Sequence, residues 1–312
     1  MTLLAVAVVL IFGAVGKAAS IPATGPHRES RTVLKLNRTQ STRLRRIEVW
    51  YPSDQPDARF PLLLFSPGFG NKPADYSFQL DDLASHGYVV AGLDHAADSL
   101  SSFELRAILW AQDILAAKRV VLLSPLHKRI DVNQIGAFGH SHGGRSAAAA
   151  CLLDSTIRAC LNQDGQLDNI QLQRPYWPIS GHQFAGSFAL LDWFDPGLED
   201  EDFRLMNTTP KGYAAARLAP DGAALEAFRA VRGGAYHITL LTPGMEHTAF
   251  TDIPWSRATS ESQRAEYAAY LRQIRAATLA FFNHTLKKIA PGPVCDGSEN
   301  GVQTQCFAPN VP

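Results

Sequence analysis

"IGAFGHSHGGRSAAAA", residues 135–150, is the stretch on which the fold turns. It opens on an apolar run, Ile135 to Phe138, that Gly139 cuts off. A polar knot follows, His140-Ser141-His142-Gly143-Gly144, and then an alanine run at 147–150. The first run reads as a buried strand and the last as a helix. Glycines on both sides of Ser141 let the chain turn sharply without a side-chain clash. The spacing G-x-S-x-G between strand and helix lifts the Ser141 hydroxyl above the edge of a sheet.

The same alternation continues outward. "IEVWYP" (47–52) is a strand stopped by Pro52, and "PLLLFSPG" (61–68) is a continuous apolar run, the mark of a strand buried on both faces. "DYSFQLDDLASHG" (75–87) has helical spacing and ends at Gly87, a C-cap. Strand "YVVAGLDH" (88–95) and amphipathic helix "FELRAILWAQDILAAKRVVLL" (103–123) come next. Beyond the opening stretch, "ACLNQDG" (159–165), "SFALLDWFD" (187–195) and "HITLLTPG" (237–244) read as strands. A helix over 260–288 closes the domain. Strands alternating with helices predict an α/β fold, a mostly parallel central sheet with helices on both faces. The ligand of such a sheet sits outside the carboxyl ends of its strands.

A serine hydroxyl becomes a nucleophile when a base takes its proton, and histidine is the usual base. Of ten histidines the best placed is His247, in "TPGMEHTAF" just beyond the strand 237–241. His140 and His142 flank the serine on a tight turn, and His95 ends an earlier strand; structural or binding roles suit them better. An oxyanion needs backbone N–H groups aimed at it. His142, directly after the serine, supplies one. The turn "FSPGFGNK" (65–72) supplies the other, and Phe69 between two glycines is the candidate. For the acid, strand order favours Asp195, after the second strand beyond the serine, with Asp192 close behind.

The succession "VWYPS", "PLLLFSPGFG", "SHGYVVAGLDH", "GHSHGG", "NQDG", "GMEHTAF" resembles the platelet-activating factor acetylhydrolase family, the lipoprotein-associated phospholipases, from about Ile47 to about Phe250. The resemblance implies an α/β-hydrolase fold and a serine esterase that needs no metal or other cofactor and removes short or oxidised acyl chains from phospholipids. By motif it places the nucleophile on Ser141, the base on His247, the acid on Asp164, and the oxyanion donors on Phe69 and His142. The chain departs from the family at "NQDG", where a more apolar strand end is usual, and at His142, where an aromatic residue is common. Asp164 and Asp195 therefore stand as two candidate acids. Gly165 after Asp164 lets the chain turn away at once, whereas Asp195 leads into Pro196 and the acidic run Glu199 to Asp202. The expected function is a serine-dependent carboxylic ester hydrolase acting on phospholipid-like esters. Its rivals are a general carboxylesterase or polyesterase of the same fold, and a non-catalytic binding protein on a hydrolase fold. Residues 170–235 are expected to shape the pocket, with Trp177, Phe184 and Trp193 either its lip or core.

The 312 residues are 46% hydrophobic and 19% charged, with no formal net charge. That balance argues against nucleic acid as the main partner; the expected partner is the small-molecule or lipid ester that the resemblance implies. It sets no oligomeric state. The basic cluster Arg28, Arg31, Lys35, Arg38, Arg43, Arg45, Arg46 reads as a solvated edge of the first strands, or else as a contact for an anionic lipid surface. Residues 1–20 read as a signal peptide, an apolar run followed by Ala18-Ala19-Ser20, and predict a secreted or periplasmic protein; an uncleaved membrane anchor is the alternative. The hydrolase domain is expected over 28–290 and a tail over 291–312. Among four cysteines, Cys295 and Cys306 bracket a polar loop in that tail and suit a disulfide, while Cys151 and Cys160 sit in apolar surroundings. Asn37, Asn207 and Asn283 head glycosylation sequons.

Overall fold

The apolar run Phe60–Ser66 (β3) is buried at every position because strands flank it and helices cover both its faces. The computed structural model describes residues 21–34, 36, 43–96, 102–165, 184–218, 231–289, 297–299 and 301–307. Within them β1 (Glu29–Leu34), β2 (Leu44–Pro52), β3, β4 (Val89–His95), β5 (Ile130–His140), β6 (Ile157–Gln163), β7 (Ser187–Phe194), β8 (Ala235–Leu241), β9 (Gly297–Glu299) and β10 (Val302–Phe307) form one sheet. Its spatial order is β1-β2-β4-β3-β5-β6-β7-β8-β10-β9. The six strands from β4 to β8 run parallel, and antiparallel pairs close both ends. This is the α/β-hydrolase fold.

Alternation along β3 explains the layers. Leu62 and Leu64 face the helices α2 (Phe103–Leu123) and α3 (His142–Leu153), through Ala111, Ile114, Ala117 and the alanines 147–150. Leu63 and Phe65 face the opposite layer, α1 (Ser77–Ser85) and a long C-terminal helix. The helices α4 (Asp200–Leu205), α5 (Pro210–Leu218) and α6 (Ile253–Arg257) precede that last helix, α7 (Glu261–Phe282). Ser260 caps α7 in a box with Gln263, as a serine three residues before a glutamine should. Each large apolar side chain fully buried between these layers contributes about 1.5–3 kcal/mol.

The expected domain boundary at residue 290 needs correction. Val302–Phe307 pairs with β8, so the sheet extends into the tail. Its residues alternate between faces: Phe307 packs on the α2–α3 side and Val302 on the α7 side. The strand 29–34 also joins the sheet, and Arg31 and Arg46 at that edge pair with Glu48. Cys306 is disulfide-bonded. Its expected partner Cys295 lies outside the described residues, as do residues 1–20, Asn37 and Trp177. Cys151 and Cys160 are free and buried. Among the described residues no helix is long and apolar enough to cross a membrane.

Parallel strands put their carboxyl ends on one edge, where Ser66 pairs with Gly139, His140 with Gln163, and Phe194 with Leu241. Close approach at that edge demands glycine. A Cβ on Gly143 would lie 2.1 Å from the Ser66 carbonyl oxygen and 2.3 Å from that of Pro67. Both are backbone atoms that cannot swing aside. At Gly70, by contrast, φ is +83° but nothing lies within 4 Å of such a Cβ. Gly143→Ala is therefore expected to cost about 3 kcal/mol or more, and Gly70→Ala about 1 kcal/mol. Urea unfolding midpoints of the two variants check this; equal midpoints would contradict the close packing.

Candidate active site

Ser141 stands between β5 and α3 at φ 55°, ψ −123°, a conformation that costs a non-glycine residue about 1–3 kcal/mol. Its neighbours hold it there. Its N–H donates to the Gln163 carbonyl (2.8 Å), and its own carbonyl accepts from the Arg145 N–H (3.1 Å), the first turn of α3. Gln163 is in turn fixed from below, its amide nitrogen donating to Gln79 of α1 and Thr278 of α7, each at 2.9 Å. A buried amide network thus ties the serine to both neighbouring helices.

Asp164 follows β6, also at positive φ (49°), with its N–H bound to the Leu191 carbonyl at 2.8 Å. The turn is clamped by Asn162, whose side chain accepts from the Gly165 N–H and donates to the Gly165 carbonyl, both at 2.9 Å. This accounts for the polar "NQDG": Asn162 builds the turn that presents the carboxylate, and Gln163 anchors Ser141. A Cβ on Gly165 would meet Asn162 Oδ1 at 2.4 Å and the Ser141 carbonyl at 2.5 Å.

His247 begins a 3-10 turn (His247–Phe250) on the loop after β8. The structure brings it to both partners. Its Nε2 lies 2.9 Å from Ser141 Oγ and its Nδ1 2.5 Å from Asp164 Oδ2. An ionised carboxylate only accepts, so Nδ1 carries the proton and Nε2 faces the serine with a lone pair. The hydrogen bond to Asp164 raises the imidazole pKa above its ordinary value, against the opposing effect of burial. Burial alone would raise the Asp164 carboxyl; the hydrogen bond from His247 and the charges of His247 and Arg217 outweigh it and hold it at about 2.

The other two candidate acids are not brought to His247. Asp195 spends its carboxylate on the Gly197 N–H (2.7 Å) and the Gly244 N–H (2.9 Å), bracing the loop that leads to His247. Asp192 pairs with Arg217 at 2.9 Å; burial and the Asp164 charge push it up to about 7.

The remaining histidines are placed differently. His140 is buried, its Nδ1 2.9 Å from the Tyr76 hydroxyl and its ring parallel to Phe250. Burial and the neighbouring His247 charge push its pKa down to about 3, so it stays neutral. His95 stacks on Trp110 at 3.9 Å and joins Ser66 Oγ (2.9 Å) to Asp113 (3.2 Å), a buried chain that fixes the end of β3. His142 is buried against Phe103 and Trp110, 6.3 Å from the Phe69 ring. It is the first residue of α3. Phe69 is 53% exposed, with the Arg106 guanidinium over its ring. On its turn the Gly68 N–H donates to the Tyr76 hydroxyl and the Asn71 N–H to the Gly68 carbonyl.

Three features escaped the sequence. Tyr76 beneath His140, Arg217 against Asp164, and the Trp193 indole N–H on Asp164 (2.8 Å) come from separated segments with no motif of their own. Phe184, expected either at the lip or in the core, is buried. Donor atoms of His140, Asp164 and His247 lie within 4.8 Å of one another, close enough for a metal. The His247 nitrogens and His140 Nδ1 are already engaged in hydrogen bonds within the protein.

Comparison with known proteins places the chain among esterase-like relatives. The chain is similar to a "Probable 1-alkyl-2-acetylglycerophosphocholine esterase" of Arthroderma benhamiae, 30% identical over 34% of this chain and 32% of that one. It is also similar to a "Bis(hydroxyethyl) terephthalate hydrolase" of Streptomyces coelicolor, 27% identical over 36% of this chain and 35% of that one. The matches span about a third of the length of these curated relatives. A ferulic acid esterase from Streptomyces cinnamoneus superposes with a TM-score of 0.63 at 21% identity, over 91% of this chain and 98% of its own, which shows the shared fold. The PET hydrolase-like family model, PETase, matches residues 8–169, just over half of the chain and through the turn that carries Asp164. The chain belongs to the PET hydrolase-like family.

Proposed function

We propose that the protein is a carboxylic ester hydrolase working through an acyl-enzyme on Ser141. The observation that carries this is the continuous chain Ser141 Oγ–His247 Nε2 (2.9 Å) and His247 Nδ1–Asp164 Oδ2 (2.5 Å), with Ser141 held at positive φ. Ser141 Oγ attacks the ester carbonyl as its proton passes to His247 Nε2. Asp164 orients the ring and offsets the charge of the imidazolium. The Phe69 and His142 N–H groups take the oxyanion. Collapse expels the alcohol, protonated by His247. Water, deprotonated by the same nitrogen, then releases the acid.

The substrate reading is a phospholipid-like ester with a short or oxidised acyl chain, supported by the motif succession and by the similarity to the Arthroderma esterase. A second reading, a general carboxylesterase or polyesterase for aryl esters, is favoured by the family match and by the aromatic cluster around His142, the residue after Ser141. Phe69, Phe103, Trp110 and His142 pack against one another, with Phe69 and Phe103 the exposed members. Hydrolysis of a short-acyl phospholipid against a bis(hydroxyethyl) aryl diester separates the two. Export to an oxidising compartment, with residues 1–20 removed and Cys295 bridged to Cys306, is part of the same proposal; N-terminal sequencing and non-reduced peptide mapping of the exported protein test it.

A fluorophosphonate probe should label Ser141 in the folded protein, and no adduct there would leave a binding protein on a hydrolase scaffold. Asp164→Asn should lower kcat on the order of 10³–10⁴-fold, because the ring loses its orientation and its charge partner. Asp195→Asn, which touches only the loop, should cost roughly tenfold or less. Near-normal activity in folded Asp164→Asn would move the acid elsewhere. His247 must be neutral to accept a proton, and its pKa is raised. Thus kcat/KM should fall as pH drops through a value above the ordinary imidazole figure of about 6.5. A profile flat down to about pH 4.5 contradicts the role of His247.

A further inference from the structure

We propose that Arg217 and Trp193 are positioning residues that clamp the Asp164 carboxylate and, through it, limit how tightly His247 keeps its proton. The inference rests on the reading of Ser141, His247 and Asp164 given above. It begins with the partners of one carboxylate. Asp164 Oδ2 accepts from His247 Nδ1 (2.5 Å) and from the Trp193 indole N–H (2.8 Å). Asp164 Oδ1 accepts from Arg217 Nη1 at 3.2 Å. The same Nη1 lies 2.9 Å from Asp192 Oδ1. The guanidinium carbon sits 4.3 Å from the Trp193 ring centroid, so the two clamping residues also hold each other.

The arrangement is unusual in its charge count. Two carboxylates, at the ends of neighbouring strands, share one guanidinium nitrogen. Arg217 is partly buried, so its field on Asp164 is weakly screened. Titratable groups near His247 are Asp164 just after β6, Asp192 on β7, Arg217 on α5 and His140 on β5. Tyr213 and Asp195 lie on the Arg217 side, and Glu246 is bonded to the Thr248 hydroxyl. His140 is held neutral by burial, so Arg217 is the permanent cation of this set. A cation beside the Asp164–imidazolium pair disfavours the second positive charge. Without it, Asp164 would bind the His247 proton more strongly, and the base would become free only at higher pH. The Trp193 N–H acts in the same sense, since a carboxylate robbed of a donor is more basic. Burial and the Asp164 charge already push Asp192 up to about 7, so this second carboxylate gives up its ionised form first when the shared cation is insufficient.

The test is the pH profile of kcat/KM on a simple aryl acetate for the wild type, Arg217→Gln, Arg217→Lys and Trp193→Phe. The acid limb should move to higher pH by roughly half a unit or more in Arg217→Gln. It should move the same way, by less, in Trp193→Phe, which keeps the ring but loses the N–H. Arg217→Lys should keep the limb near its wild-type position while lowering kcat, because lysine restores the charge but not the flat fork stacked on the indole. If Arg217→Gln does not fold, Trp193→Phe and Arg217→Lys decide. A limb unmoved in folded Arg217→Gln or, in its absence, in Trp193→Phe overturns the clamp. Fluorophosphonate labelling in the same proteins keeps the failures apart. An unlabelled Ser141 in the wild type sinks the catalytic reading itself, whereas normal labelling with an unmoved limb sinks the clamp alone.

Discussion

Everything at the carboxyl edge of this sheet depends on one backbone strain, the positive φ of Ser141. A serine in that conformation is unfavourable by itself and persists because its surroundings fix it from three sides. The Gln163 carbonyl holds its N–H, α3 begins on its carbonyl, and Gly143 lets the end of β3 lie directly against the turn. Any one of these alone would leave the turn free to relax into an ordinary strand end. Together they keep the hydroxyl pointed at His247. The bulk of the fold, two helical layers on a ten-stranded sheet, supplies the rigidity that keeps those three contacts in register.

The fold was legible because its signals are local. Strands such as Phe60–Ser66 are runs of apolar residues, and the alanines after Ser141 announce a helix packed close to the sheet. Ser141 and His247 were readable for a related reason: each lies in a short loop directly after a strand, where geometry leaves few directions for a side chain. The edges of the sheet were not legible. β1 and β10 are short and half-polar, and they are strands because β2 and β8 offer them unpaired backbone groups. That information lives in the partner and not in the segment. The polar "NQDG" was visible as an oddity, but its meaning required seeing Asn162 reach around to Gly165.

The choice among three aspartates shows where local reading stops. Asp164, Asp192 and Asp195 all lie at the same edge, Asp164 and Asp195 just after β6 and β7 and Asp192 near the end of β7. Their environments separate them. Asp195 is consumed by two backbone N–H groups and so works as a brace. Asp192 is drawn toward Arg217, and burial keeps its proton close to neutral pH. Of the three, Asp164 is the one whose carboxylate oxygen accepts from the imidazole, and its partners hold it well ionised. Strand order favoured Asp195 because it counts elements; the structure separates the three because hydrogen bonds have owners.

The same accounting explains why the aspartate turn is strained as well. A carboxylate with a flexible approach would lose much of its hold on His247 to side-chain and backbone entropy. Asp164 at positive φ, clamped by Asn162 from behind and by Trp193 and Arg217 in front, has few conformations left to lose. His247 can then sit on a surface loop with nearly half of its side chain exposed and still keep one orientation. Its partners on either side are the rigid ones. In the proposed reaction that exposure lets an ester reach the base and the products leave. The site thus divides its labour: strained turns fix Ser141 and Asp164, and the imidazole between them remains open to solvent.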